Sequence, residues 1–164
     1  MAEKRIPGIK FLSSTEIEEV FKCFQRQNPE PKTELIAPNT YTLLVSVVLS
    51  AQATDKSVNA ATAELYKIVD TPQKMVALGE AGLIKYIRTI GLYQGKAKNV
   101  IALSQLLIDK FGGKVPNNRE DLESLPGVGR KTSSVMLNAV FGQPTMPVDT
   151  HVLRISPRIG LSDG

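Results

Sequence analysis

Apolar positions along this chain recur three and four residues apart, the spacing of one helix face, and almost nowhere alternate as a half-buried strand would. Ile17, Val20, Phe21 and Phe24 form the first stripe. Ser13 and Glu16 ahead of it have the form of a capping box, in which each side chain satisfies a backbone N–H at the helix start. The three prolines between Asn28 and Pro38 read as a linker. Asn39 then caps a helix running to about Ser50. The run Leu43, Leu44, Val45, Val47, Val48, Leu49 also suits a buried strand, but no partner strand appears elsewhere, so helix is preferred. Val58, Ala61, Leu65 and Val69 mark a third helix. Thr71-Pro72 combines an N-cap with a proline at the first helical position, where its missing N–H costs nothing. A short helix to about Leu78 follows, then another from Ala81 to Ile87. Past a break at Gly91, Ala97, Val100, Ile101, Leu103, Ser104, Leu107, Ile108 and Phe111 outline a long helix closed by Gly112-Gly113. Asn118 caps a short helix through Leu125, and the turn Pro126-Gly127-Val128-Gly129 leads into a helix to about Phe141. The predicted class is all-α, without repeats or low-complexity tracts.

Composition narrows the picture. The chain has 164 residues, 42% hydrophobic and 22% charged, a globular balance large enough for one domain or a small two-lobed enzyme. Aromatic residues are 5% and Trp is absent, so the core rests on Leu, Ile, Val and Ala. A net charge of +4 attracts phosphate backbones in a salt-dependent way. By itself, that charge is read more readily as a solvated basic surface. Cys23 is the only cysteine, which excludes an internal disulfide and a metal or iron–sulfur site held by cysteines of this chain alone. It reads as a small buried hydrophobe on a helix. Residues 1–10 lack the apolar stretch of a signal peptide, and Leu43 to Leu49 is far too short to span a bilayer, so a cytoplasmic location is expected.

Two places carry candidate chemistry. Gly127 and Gly129 allow close backbone approach and leave unpaired N–H groups at the positive end of the following helix, which makes an anion site. A generic P-G-x-G is more often a plain interhelical turn. Lys131 falls in the first turn of that helix beside Arg130, where the helix dipole disfavours a cation; the neutral amine is the nucleophilic form. A solvated surface lysine is the commoner case. Asp149, in Val148-Asp149-Thr150-His151, reads as an N-cap that is also able to act as a carboxylate in catalysis. His151 is given a structural hydrogen-bonding role.

Taken together, Leu125-Pro126-Gly127-Val128-Gly129-Arg130-Lys131-Thr132, Val148 to His151, Ser50 to Asp55, Ile90 to Tyr93 and Gly95 to Lys98 resemble the endonuclease III family of helix-hairpin-helix DNA glycosylases, over about residues 14–160. The resemblance implies two helical lobes with a DNA-binding cleft between them. It divides the chain into 1–32, a helix and linker of the terminal lobe; 33–143, the central lobe with the hairpin at about 118–141; and 144–164, the start of an incomplete C-terminal lobe. It implies a bifunctional glycosylase/AP lyase that removes oxidised pyrimidines from double-stranded DNA and nicks the strand by β-elimination, working as a monomer. Lys131 takes the place of the Schiff-base nucleophile and Asp149 that of the essential carboxylate. Gln52, Ile90, Gly91 and Leu92 match positions that enter the duplex, while Gly127, Val128, Gly129 and Arg130 match the phosphate-binding hairpin. Leu92 is equally an ordinary core residue by type, and Asp55 is read as the cap of the third helix.

Two features depart from the family pattern. Its members carry a 4Fe–4S cluster held by four cysteines that would lie beyond residue 164, so the chain reads as C-terminally truncated. Pro157 falls within the helix expected after Asp149, where proline costs about 3 kcal/mol and shortens or kinks the helix. The rival to an enzyme is a non-catalytic helix-hairpin-helix DNA-binding remnant.

Overall fold

The apolar run at residues 43–49 is a helix, and it is buried on every side. The computed structural model describes residues 10–162. The expectations placed on residues 1–9, the signal-peptide reading, and on residues 163–164 lie outside the described residues. Among the described residues every regular element is a helix: α1 (Ser14–Gln27), α2 (Thr40–Leu49), α3 (Asp55–Thr62), α4 (Leu65–Ile68), α5 (Pro72–Ile87), α6 (Tyr93–Phe111), α7 (Arg119–Glu123), α8 (Arg130–Ala139) and α9 (Thr150–Ile155). They fall into two compact units. Thr33–Pro147 makes one, and the described residues before and after it make the other.

In the larger unit α2 is the central element. Leu44, Val45, Val48 and Leu49 are buried, and α2 packs against α3, α6 and α8. A helix with neighbours on all sides needs no polar face, which is why its sequence also suited a buried strand. Each large aliphatic side chain buried there contributes roughly 1.5–3 kcal/mol. Its few hydroxyls are paired. Tyr41 Oη lies 2.6 Å from Ser104 Oγ, and Tyr66 Oη donates to the Thr42 carbonyl at 2.9 Å and lies 2.7 Å from Ser46 Oγ. Burial raises both phenol pKa values well above their ordinary value. Asn39 caps α2 through a capping box with Thr42, and Thr71 caps α5 with Pro72 at its start.

Three sequence expectations are corrected here. The third helix is two, α3 and α4, separated by a turn at residues 63–64 that no glycine or proline announces. Its cap is Thr54, whose Oγ1 accepts from Ser57 N at 3.2 Å; Asp55 is the first helical residue. The long helix α6 begins at Tyr93, a turn earlier than its apolar stripe suggested. The break within α5 sits at Gly79, whose φ of 70° is the left-handed region open to glycine.

The smaller unit contains α1 and α9. The Ser13–Glu16 capping box is present, with Glu16 accepting from Ser13 N at 2.7 Å. No residue of α1 is buried, and Phe21 and Phe24 stand exposed in an edge-to-face pair. Cys23 is half-buried, not the buried hydrophobe expected. α9 ends at Ile155, so Pro157 lies in the turn beyond it and the interior-proline cost does not arise. Gly160 joins the unit's two segments: Leu12 N donates to its carbonyl at 2.9 Å, its φ is 77°, and a Cβ there would meet the Lys10 carbonyl oxygen at 2.5 Å. Gly160→Ala is expected to destabilise this unit by about 1–3 kcal/mol, read as a lower urea midpoint; an unchanged midpoint would show that the two segments do not depend on each other.

Candidate nucleic-acid interface

The α7–α8 hairpin is built around a turn that only glycine fits. Gly127 has φ 80°, and a Cβ would crowd Asn99 Cβ at 3.1 Å and Val48 Cγ1 at 3.2 Å. Val128 N donates to the Leu125 carbonyl at 3.0 Å while its side chain plugs into the core. Gly129 is the N-cap of α8 and offers no side chain to cap it, unlike Ser13, Asn39, Thr54, Thr71, Asn118 and Asp149 at their helices. Gly129 thus gives the positive end of a ten-residue helix no cap of its own, beside exposed Gly127, Gly129 and Arg130.

A polar brace holds the two helices of the hairpin together. Ser133 Oγ donates to Glu123 Oε1 at 2.7 Å, and Arg119 Nη1 reaches Glu123 at 3.2 Å, Ser133 at 3.1 Å and Ser134 at 3.2 Å. The Ser133 hydrogen bond, with Arg119 and Arg130 nearby, lowers the Glu123 pKa. A carboxylate with a depressed folded pKa stabilises above its unfolded value and loses that contribution as pH falls through the folded one. Glu123→Ala is therefore expected to loosen the hairpin and weaken DNA binding severalfold at neutral pH, with little change in helical content. Equal affinity of variant and parent in a titration would make the brace irrelevant.

Lys131 is the second residue of α8 and is exposed. Asp149, in the other unit, is the N-cap of α9: its Oδ1 accepts from His151 N at 2.9 Å and from Val152 N at 2.8 Å. His151 is exposed, with Nδ1 3.3 Å from Arg154 Nη2.

The duplex-entering candidates do not share one environment. Among the described residues Gln52 and Leu92 are the non-glycine residues with positive φ, 55° and 58°, a conformation that costs about 1–3 kcal/mol and clusters at functional sites. Leu92 is 69% exposed, which overturns its reading as core. Both line a pocket of about 500 Å³ together with Val48, Ala51, Tyr93, Asn99, Gly127 and others. Gly91 is exposed next to it. Ile90, by contrast, is buried, so it anchors the loop from beneath. The same pocket is lined by Lys96, buried, with no hydrogen-bond partner on Nζ among the described residues. The sequence reading missed it, although Lys96, Val100, Leu103 and Leu107 share one helical stripe and so announce burial.

No group of three or more His, Cys, Asp or Glu side chains able to hold a metal occurs among the described residues. With Cys23 alone, this chain's residues do not fit a four-cysteine cluster.

An all-helical fold carrying a helix-hairpin-helix defines a class of DNA-binding protein. The model for the HhH-GPD superfamily of base excision DNA repair proteins matches residues 45–164. Endonuclease III of Treponema pallidum (strain Nichols) is 57% identical over 156 residues, covering 95% of this chain and 74% of the relative. Endonuclease III of Escherichia coli (strain K12) is 49% identical over 146 residues, covering 89% and 69%. Among solved structures, a trapped endonuclease III–DNA covalent intermediate superposes with a TM-score of 0.86 at 43% identity, covering 92% of this chain and 70% of that one. A thermostable thymine-DNA glycosylase at 22% identity and a TM-score of 0.76 shares the fold. This chain belongs to the endonuclease III family of the HhH-GPD superfamily. Its function is base-excision DNA repair as a DNA glycosylase/AP lyase, and among the described residues no helix is long and apolar enough to cross a membrane.

Proposed function

We propose that this chain acts on double-stranded DNA carrying an oxidised pyrimidine or an abasic site. The observation that carries this reading is the open N-terminus of α8, with the Gly127 turn ahead of it and Lys131 in its first turn. The Gly127–Gly129 turn and Arg130 hold a backbone phosphate. Gln52 and Leu92 enter the duplex and fill the gap left when the damaged nucleotide flips out. The Lys131 amine attacks C1′ of that nucleotide. A C1′–N bond to lysine forms, the glycosidic C1′–N bond breaks, and the base leaves with the bonding pair and is protonated. Asp149 accepts the amine proton and stabilises the positive charge that develops on the sugar. After ring opening the adduct is an iminium. Loss of a C2′ proton then expels the 3′ phosphate, which nicks the strand 3′ to the lesion, and water releases the lysine. The protein works as a monomer in the compartment that holds the chromosome. The proposed lobe division is 1–32, 33–143 and 144–164.

The test is incubation with a duplex carrying one oxidised pyrimidine and with the undamaged duplex. Release of the damaged base with a nick at its 3′ side is expected on the first alone. Base release without a nick would reduce the chain to a monofunctional glycosylase, and binding without either would favour the non-catalytic remnant.

A further inference from the structure

Asn99, on α6, sits where the hairpin turn meets the body of the larger unit. A Cβ on Gly127 would stand 3.2 Å from Asn99 Nδ2, so the side-chain amide lies directly against the turn. Asn59 and Asn99 are the half-buried asparagines among the described residues. The Asn59 amide is engaged on both sides: Oδ1 accepts from Ile36 N at 2.9 Å and Nδ2 donates to the Glu34 carbonyl at 2.9 Å. The Asn99 amide, with two N–H donors and an acceptor, makes no hydrogen bond among the described residues. Taking a polar group partly out of water without a partner costs free energy. An aliphatic side chain would pack against Gly127 without that cost, so packing alone does not account for an amide here.

The neighbouring turn indicates the partner. Gly127, Gly129 and Arg130 are exposed, and a DNA phosphate is held there on the reading above. An oxygen at hydrogen-bond distance from a turn N–H, roughly 2.9 Å, comes within reach of an amide packed against that turn. A phosphate oxygen also makes a shorter and stronger bond to an N–H than a neutral acceptor does. Asn99 lies on the helix that starts directly after Leu92. Resting on the DNA-binding reading above, we propose that Asn99 donates its Nδ2–H to the phosphate seated on the Gly127–Gly129 turn. Asn99 is then a positioning residue. It ties α6, and with it the Leu92 loop, to the same phosphate that the hairpin grips, so that capture of the backbone sets the loop's register on the duplex.

The test is a coupling cycle on binding. Affinity is measured for a duplex carrying a tetrahydrofuran abasic analogue, with the phosphates around it replaced one at a time by neutral methylphosphonates. Parent binding is expected to fall most at one position, the phosphate on the turn. Asn99→Ala is expected to bind the natural duplex about tenfold more weakly than the parent, the loss of one hydrogen bond to a charged group. That difference should largely vanish on the duplex neutral at that position. Asn99→Asp keeps the size and adds a charge, so it should bind the natural duplex more weakly than Asn99→Ala and recover more when the phosphate is neutral. Without DNA both variants should melt like the parent. Asn99→Ala removes no charge and should keep the parent's salt dependence, whereas Arg130→Ala should lower its slope by about one. An equal loss for Asn99→Ala on every duplex would assign Asn99 to the fold and overturn the proposal. So would parental affinity for Asn99→Ala, or an Asn99→Asp that binds the natural duplex as well as Asn99→Ala does. A parent that does not distinguish the abasic analogue from undamaged duplex would remove the glycosylase reading, and the phosphate series would still decide the role of Asn99.

Discussion

Lys131→Ala is expected to abolish strand nicking at an abasic site, with a fall of about a thousandfold or more, the scale on which removing a covalent nucleophile acts. The side chain is exposed in the first turn of α8 and packs no core, so its removal leaves the hairpin standing. Affinity for the abasic duplex should change by severalfold at most, because the phosphate is held by backbone groups of the Gly127–Gly129 turn. Circular dichroism and the binding titration therefore serve as controls. A variant that still nicks at the parental rate would move the nucleophile to another amine.

Asp149→Asn is expected to lower base release by about a hundredfold or more, the typical cost of removing one group that stabilises transition-state charge. Asparagine caps a helix as well as aspartate does. The bonds from His151 N and Val152 N to the side-chain oxygen survive the change, and with them α9. The two roles weighed for this residue are thus separated, since the cap remains and the charge is removed. Parental turnover with an unchanged melting temperature would leave Asp149 as a cap alone.

Much of the fold was legible because helix starts are written in residue types. Ser13, Asn39, Thr71 and Asn118 each sit where a short polar side chain precedes an apolar stripe, and each caps its helix. The α3–α4 division was not legible. The stripe Val58, Ala61, Leu65, Val69 continues across it, and no helix breaker marks it, Ala63 and Glu64 being ordinary helix formers. The family motif placed the site candidates on the sequence, but environment is not written in a motif. Leu92 is apolar and reads as core, yet its left-handed backbone turns it out to solvent. Ile90, two residues earlier, reads the same way and is core. Lys96 is a cation by type, while its helical register buries it. Side-chain type yields the element, and backbone conformation and register decide which side chains meet the ligand.

The proposed catalysis turns on a covalent bond from Lys131 to the sugar. The most direct measurement is borohydride reduction of the protein with abasic-site DNA, followed by proteolysis and mass analysis of the cross-linked peptide. The predicted result is one DNA adduct, on the peptide from α8, with the added mass on Lys131. An adduct on any other lysine, or efficient nicking with no reducible adduct, would contradict the account.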